Sequence, residues 1–287
     1  MPTTKPPVEM QLTPASGTVA HTERELRQHH ARHKIVERRR IVQKLRQALS
    51  ADGLALHFQP ILSLSTGLIQ GAEAMLRLSH ARRGFIQASH FLPLAEQSDV
   101  IIEVGGWMLR AACHEAARLP AHFRIALAIS PRHLQSGQLT RELLEALNDS
   151  GVAPERLELL ITEAMLLDEN EDSAFALKAT QALGVHLGLN HFGTGYASLA
   201  PLKRMAFSSL RLDKSLVQNL CEGAASTAIT RAAVEAGHAL GCSVLADGVE
   251  TAAQYDLLCQ IGTDEGQGSH FTPAIPGDQL TAMFGQG

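Results

Sequence analysis

Polar residues recur at the downstream ends of apolar segments in this sequence. Gln59 lies in LALHFQPIL, Glu73 in LIQGAEAML, Ser130 ends FRIALAIS, and Glu163 follows RLELLIT. Asn190 and His191 end VHLGLNHF, Asp213 follows SSLRL, Asp247 and Glu250 lie in CSVLADGVE, and Gln267 in EGQG. Brought together, such a set leans acidic. It offers oxygen ligands to a hard divalent cation, or hydrogen-bond partners to a polar ligand. The plain alternative is that these ends are polar because they meet solvent. His191 is the odd member, because imidazole suits Zn, Cu or Ni better than Mg. A second candidate is His29 with His33, at an i,i+4 spacing that can bind a metal or simply form a polar helix face.

The elements that would hold these residues are legible from periodicity. Residues 1 to 20 are rich in Pro, Thr, Ser and Gly and read as a disordered lead-in. His21 to Ser50 has strong helix formers and few apolar residues, which predicts one basic helix. Its Arg38-Arg39-Arg40 run can meet an acidic partner or stay solvated. From residue 51 to 287, strands alternate with helices. LALHFQPIL and LIQGAEAML, joined by STG, predict an antiparallel hairpin. The stretch from Pro93 to Leu119 reads as helix interrupted at Gly105 and Gly106. Strand FRIALAIS, a helix from Pro131, strand RLELLIT, helix AFALKATQALG and strand VHLGLNHF follow. Then come helix SLAPLKRM, strand SSLRLDKS, a helix, strand CSVLADGV, helix TAAQYDLLCQIG and a last strand EGQGSHF. Near-continuous apolar strands alternating with helices imply an α/β fold with a parallel sheet under helices. About eight strands and no dinucleotide-type glycine loop favour a closed (β/α)8 TIM-like barrel with one antiparallel strand. The polar ends would then gather at one mouth.

Composition narrows the function classes. The 287 residues are 45% hydrophobic and 19% charged, with net charge −4, so nothing pulls the whole chain toward nucleic acid or anionic lipid. No window approaches 18 consecutive apolar residues, which excludes a membrane-spanning helix. The N-terminus lacks a secretory layout, and four widely spaced cysteines read as reduced thiols, so a cytoplasmic location is expected.

Several blocks carry a resemblance. Glu73-Ala74-Met75-Leu76-Arg77, FLPLAEQSDVIIEVGGWMLRAAC, FGTGYASLAPLKRM, LRLDKSLV, ADGVETAAQYDLL and EGQGSHFTPAIP occur in the order found in EAL-type cyclic di-GMP phosphodiesterases. The chain resembles that family over about residues 40 to 284. Active members use two divalent cations held by carboxylates and one Asn, with a Lys that helps position the attacking water. The paired cations generate hydroxide and absorb phosphoryl charge. Position by position, the resemblance implies a degenerate site. Glu73, Glu163, Asp213, Glu250 and Gln267 stand as in the family. Ala128 replaces the Asn and Leu160 a Glu, Asn190-His191 replaces an Asp pair, Arg211 replaces the Lys, and Asp247 replaces a Glu. Ala128 and Leu160 offer no ligand atom. Arg211 is permanently cationic where metal-bound water would sit, and can replace part of the metals' charge toward a ligand phosphate.

The resemblance therefore implies a catalytically inactive domain with no Mg or Mn cofactor. It would bind cyclic di-GMP through Gln59, Glu73, Arg77, Asp213, Glu250 and Gln267, and signal through a regulatory protein partner. Arg77 would reach a ligand phosphate or make an ion pair with a nearby carboxylate. Ser269 stands where the family commonly has an aromatic that stacks on guanine, which favours an alternative: a protein-binding regulator that ignores cyclic di-GMP. A residual metal-dependent phosphodiesterase is the other alternative. The turn at Gly193 and Gly195 and its helix imply an interface for a partner or a homodimer. No nucleic-acid partner is expected.

Overall fold

Strand residues alternate between two environments, and the computed structural model shows what each environment is. It describes residues 35–82, 84–168, 170–193 and 205–284. Helix α1 covers 35–50. The strands are β1 (Leu54–Ser63), β2 (Ile69–His80), β3 (Gly84–Gln87), β4 (Arg124–Ala128), β5 (Leu157–Thr162), β6 (His186–Phe192), β7 (Ser209–Leu212), β8 (Ser243–Asp247), β9 (Glu265–Gln267) and β10 (Ile275–Pro276). The helices after α1 are α2 (Leu92–Ala95), α3 (Val100–Ala117), α4 (Pro131–Leu134), α5 (Leu139–Ser150), α6 (Glu163–Leu166), α7 (Glu171–Ala182), α8 (Lys214–Gln218), α9 (Ala224–Ala239), α10 (Ala252–Ile261) and α11 (Gly277–Ala282).

β1 and β2 form the expected hairpin, paired from Leu54↔Leu78 to Leu62↔Ile69. β2, β4, β5, β6, β7, β8 and β9 pair in parallel in that order. β9 then pairs antiparallel with β1, through Leu62↔Gly266 and Ser63↔Glu265, and closes an eight-stranded barrel. Outward strand side chains such as Ile125, Leu159, Leu189, Leu210 and Val244 form the main core under the helices. Each such side chain contributes about 1.5–3 kcal/mol on burial. Inside the barrel, Ile61, Ala126, Leu160 and Leu245 make a small apolar plug.

A lobe rises above the mouth, where β2 continues past the barrel and pairs with β3 from Arg77↔Gln87 to His80↔Gly84. Its rear face, with Leu54, Leu76 and Leu78, packs against Leu45 and Ala48 of α1, Phe91, and Val100 and Val104 of α3. Its front face looks over the mouth.

Three sequence expectations need correction. α3 runs unbroken through Gly105 and Gly106, and the break falls between Ala95 and Val100. The glycines serve packing instead: a Cβ on Gly105 would collide with the His133 ring, and one on Gly106 with the Glu142 carboxylate. The helix expected from Pro131 is two, because Gly137 turns the chain at φ 70° between α4 and α5. The last strand stops at Gln267, because Gly268 at φ 155° leaves the strand and a Cβ there would strike the Val249 backbone. β3 and β10 were too short to show alternation. The 1–20 lead-in, His29, His33, Gly195 and the SLAPLKRM helix up to residue 204 lie outside the described residues.

Candidate ligand site at the barrel mouth

Inward positions set the chemistry of the barrel. Glu73 on β2, Glu158 on β5, Arg211 on β7, Asp247 on β8 and Gln267 on β9 all point to the axis. Arg211 sits four strands from Glu73 in either direction around the ring. Its side chain, 1% exposed, crosses the interior. Nη1 donates to Glu73 Oε2 at 2.9 Å and Nη2 to Glu158 Oε2 at 3.1 Å. Glu158 Oε1 accepts from the hydroxyls of Ser208 at 3.0 Å and Ser209 at 2.7 Å. Gln267 Nε2 ties Glu73 Oε2 at 2.8 Å to Asp247 Oδ1 at 2.9 Å. Arg211, Glu158 and Gln267 are buried, while Glu73 and Asp247 reach the cavity, so the buried charges must be paired or destabilise the fold.

The titration of these groups follows. Burial alone would raise the Glu158 pKa, but Arg211, the Ser209 hydroxyl and Arg124 hold it below the ordinary carboxylate range. Burial pushes Glu73 up, Arg211 pulls it back, and Asp247 pushes it up again, leaving it raised. The two glutamates outweigh desolvation at Arg211 and raise its pKa further. The guanidinium is thus a fixed internal cation.

Above this network lies a cavity of about 510 Å³, walled by Glu73, Met75 and Arg77 on one side and by Leu92, Ile101 and Met108 on another. Ala128 and Asp247 also line it. Arg77 has no carboxylate within ion-pair distance among the described residues. Its Nη1 donates to the Leu76 carbonyl at 3.2 Å, and Nη2 lies 4.0 Å from Met75 Sδ. Burial lowers its pKa. It is a partly desolvated cation facing the cavity, suited to an anionic ligand group.

Asn190 and His191 owe their placement to an irregularity. Leu189 pairs with Leu210 and Phe192 with Leu212, so β6 carries one extra residue against β7. His191 takes φ 57°, in the left-handed region, and lines the cavity with its side chain half exposed. Its Nδ1 lies 3.0 Å from Asp213 Oδ2. Asp213 Oδ1 accepts from the Ser215 N–H at 2.9 Å and caps α8. Burial would raise the Asp213 pKa, but bonds from Ser215 and His191 hold it below the ordinary range.

The remaining sequence candidates divide. Gln59 sits directly opposite Glu73 in the hairpin register. Gln267 is buried, with its amide nitrogen committed to two carboxylates and its Oε1 without a partner among the described residues. Glu250 is exposed just beyond β8, and Glu163 begins α6 with a buried Oε1 that has no partner among the described residues. Leu160 belongs to the interior plug. Arg211 faces Glu73 and Glu158 and does not line the cavity. Glu158 was missed by sequence reasoning. Its signal was a carboxylate at an inward position of LELLIT, in register with Ala126 next to β2.

The family model for the EAL domain matches residues 42–274, most of the chain and the whole barrel mouth. The chain belongs to the EAL domain family. An uncharacterized Sinorhizobium fredii protein, y4lL, is 35% identical over 247 residues, covering 86% of this chain and 30% of that protein. The Pseudomonas aeruginosa bifunctional diguanylate cyclase/cyclic di-GMP phosphodiesterase MucR is 34% identical over 251 residues, covering 86% of this chain and 36% of that one. The solved PaMucR phosphodiesterase in complex with c-di-GMP superposes with TM-score 0.79 at 33% identity, covering 84% of this chain and 99% of that one. The Xanthomonas citri FimX EAL domain in complex with c-diGMP gives TM-score 0.76 at 26% identity, covering 85% and 97%. This EAL domain chain spans about a third of the length of the curated relatives it matches. Among its described residues, no helix is long and apolar enough to cross a membrane.

Proposed function

We propose that this EAL domain is a catalytically silent receptor that binds cyclic di-GMP without metal and acts through contacts with a regulatory protein. The observation that carries the reading is the pair of ion pairs from Arg211 to Glu73 and Glu158. Two-metal hydrolysis needs hard cations clamped by oxygen ligands on both sides of the phosphoryl group. Here a guanidinium neutralises the carboxylates from within, and Leu160 and Ala128 contribute no donor atom at two further positions. The residues do not fit a pair of Mg²⁺ or Mn²⁺ ions. Recognition needs less: a cavity, a cation for phosphate and polar groups for a base. Arg77, Gln59 and Glu250 remain accessible or partly so for that role. The c-di-GMP complexes of PaMucR and FimX support the ligand class.

The test is a calorimetric titration with cyclic di-GMP, in chelator and again in Mg²⁺ or Mn²⁺, with product analysis of the same samples. The expected result is equal micromolar or tighter binding in both buffers, with no linear dinucleotide. Turnover would overturn the reading. Ser269 favours the second reading, a protein-binding regulator that takes no cyclic di-GMP. Absence of binding at high micromolar ligand would select it.

A further inference from the structure

The front face of the β1–β2–β3 lobe carries an aromatic that neither core packing nor the internal network uses. Phe85 is 48% exposed on β3, opposite Ser79. Its neighbour Ile86 packs with the rear-face core. Phe85 shares the front face with Gln87, whose register partner is Arg77. β2 separates β3 from β1, yet the Phe85 ring meets the His57 ring of β1, with centroids 5.3 Å apart and planes at 65°. His57 pairs with Met75 and Phe85 with Ser79, so the ring lies across β2 at the level of Arg77. Burial and the Arg77 charge lower the His57 pKa, which favours a neutral imidazole as its edge-on support. Arg77 and Gln87 both line the 510 Å³ cavity, so this shelf continues its wall outward.

We infer that Phe85, braced by His57, is a stacking platform for a planar purine base of a ligand whose phosphate is held by Arg77. The inference rests on the receptor reading above and adds the residue that stands in for an aromatic at Ser269. β9, which leads to Ser269, is the neighbour of β1 on the other side, so the platform lies further along the same wall. An aromatic face attracts any base by stacking, and an edge-to-face partner fixes the ring without covering both of its faces.

The experiment is a cyclic di-GMP titration of the full chain and its Phe85→Ala, Phe85→Leu and Phe85→Tyr variants, with the ligand guanine H8 resonances followed by NMR. Thermal melts of all four check folding, which an exposed position leaves intact. Phe85→Ala and Phe85→Leu are expected to weaken binding roughly ten- to hundred-fold, while Phe85→Tyr stays near the parent. One guanine H8 should move upfield in the parent complex and lose that shift with Phe85→Leu. Binding by the parent that is unchanged in Phe85→Ala, with no ring-current shift, overturns the platform and leaves the receptor reading standing. No binding by the parent overturns both.

Discussion

Arg211 and Arg77 stand on opposite strands of one barrel, both on inward positions, and meet opposite fates. Arg211, from β7, is buried and bonded to Glu73 and Glu158. Arg77, from β2, sits four residues beyond Glu73, where the strand has left the barrel for the lobe, and among the described residues its partners are a carbonyl and a thioether. The same guanidinium closes the lower site and leaves the upper one open. The distinction is depth. Inside the barrel a cation survives burial only with carboxylates around it, whereas at the mouth the solvent and a ligand can share it. One barrel thus holds one arginine as an internal counter-charge and presents another at its mouth.

Substitutions sharpen this contrast, starting with the deepest. Arg211→Met should cost about 3–5 kcal/mol in urea unfolding, because it strands two buried carboxylates. Adding Glu158→Gln to it should recover part of the loss, and no recovery would mean that Arg211 acts through packing alone. Arg77→Ala should leave stability within about 0.5 kcal/mol while weakening cyclic di-GMP binding by roughly ten- to hundred-fold. A large stability loss there would erase the difference between the two arginines. Asp213→Ala removes the cap of α8 and should cost about 1 kcal/mol, measured by the same unfolding assay.

The smallest expected effect is a pH slope. Glu73 has a raised folded pKa, so the native state binds more protons than the unfolded chain just above the ordinary carboxylate value of 4.5. Its contribution to stability therefore falls as pH rises from 4.5 through the folded pKa. Glu158 has the opposite sign: its stabilisation is complete above 4.5 and disappears as pH falls through its lowered pKa. Glu73→Gln should remove the first slope, so its stability relative to the parent rises with pH across that window. A difference independent of pH would contradict the coupling of Glu73 to the network.

Much of this was legible in the sequence. The alternation of LELLIT and VHLGLNHF, with its helices, fixed a parallel barrel, and collinear blocks pointed to the family that the EAL model then matched. That Ala128 and Leu160 carry no metal-ligating side-chain atom could be read directly. What Arg211 does could not. Residue type gave its charge, but only the barrel closure brings β7 across from β2 and aims that charge at Glu73 and away from the cavity. The bonds from Gln267 to Glu73 and Asp247 were hidden in the same way, because they too depend on barrel closure. The bulge that places Asn190 and His191 and the reach of Phe85 over β2 depend on pairing register, which no local pattern reports.

The central claim is that Arg211 occupies the place and the charge of the cations. Manganese EPR tests it most directly: titrate the full chain with Mn²⁺, with and without cyclic di-GMP, and count bound ions. The account predicts no Mn²⁺ bound by this site at millimolar metal in either case. One or two bound ions per chain whose spectrum changes on adding cyclic di-GMP would contradict it.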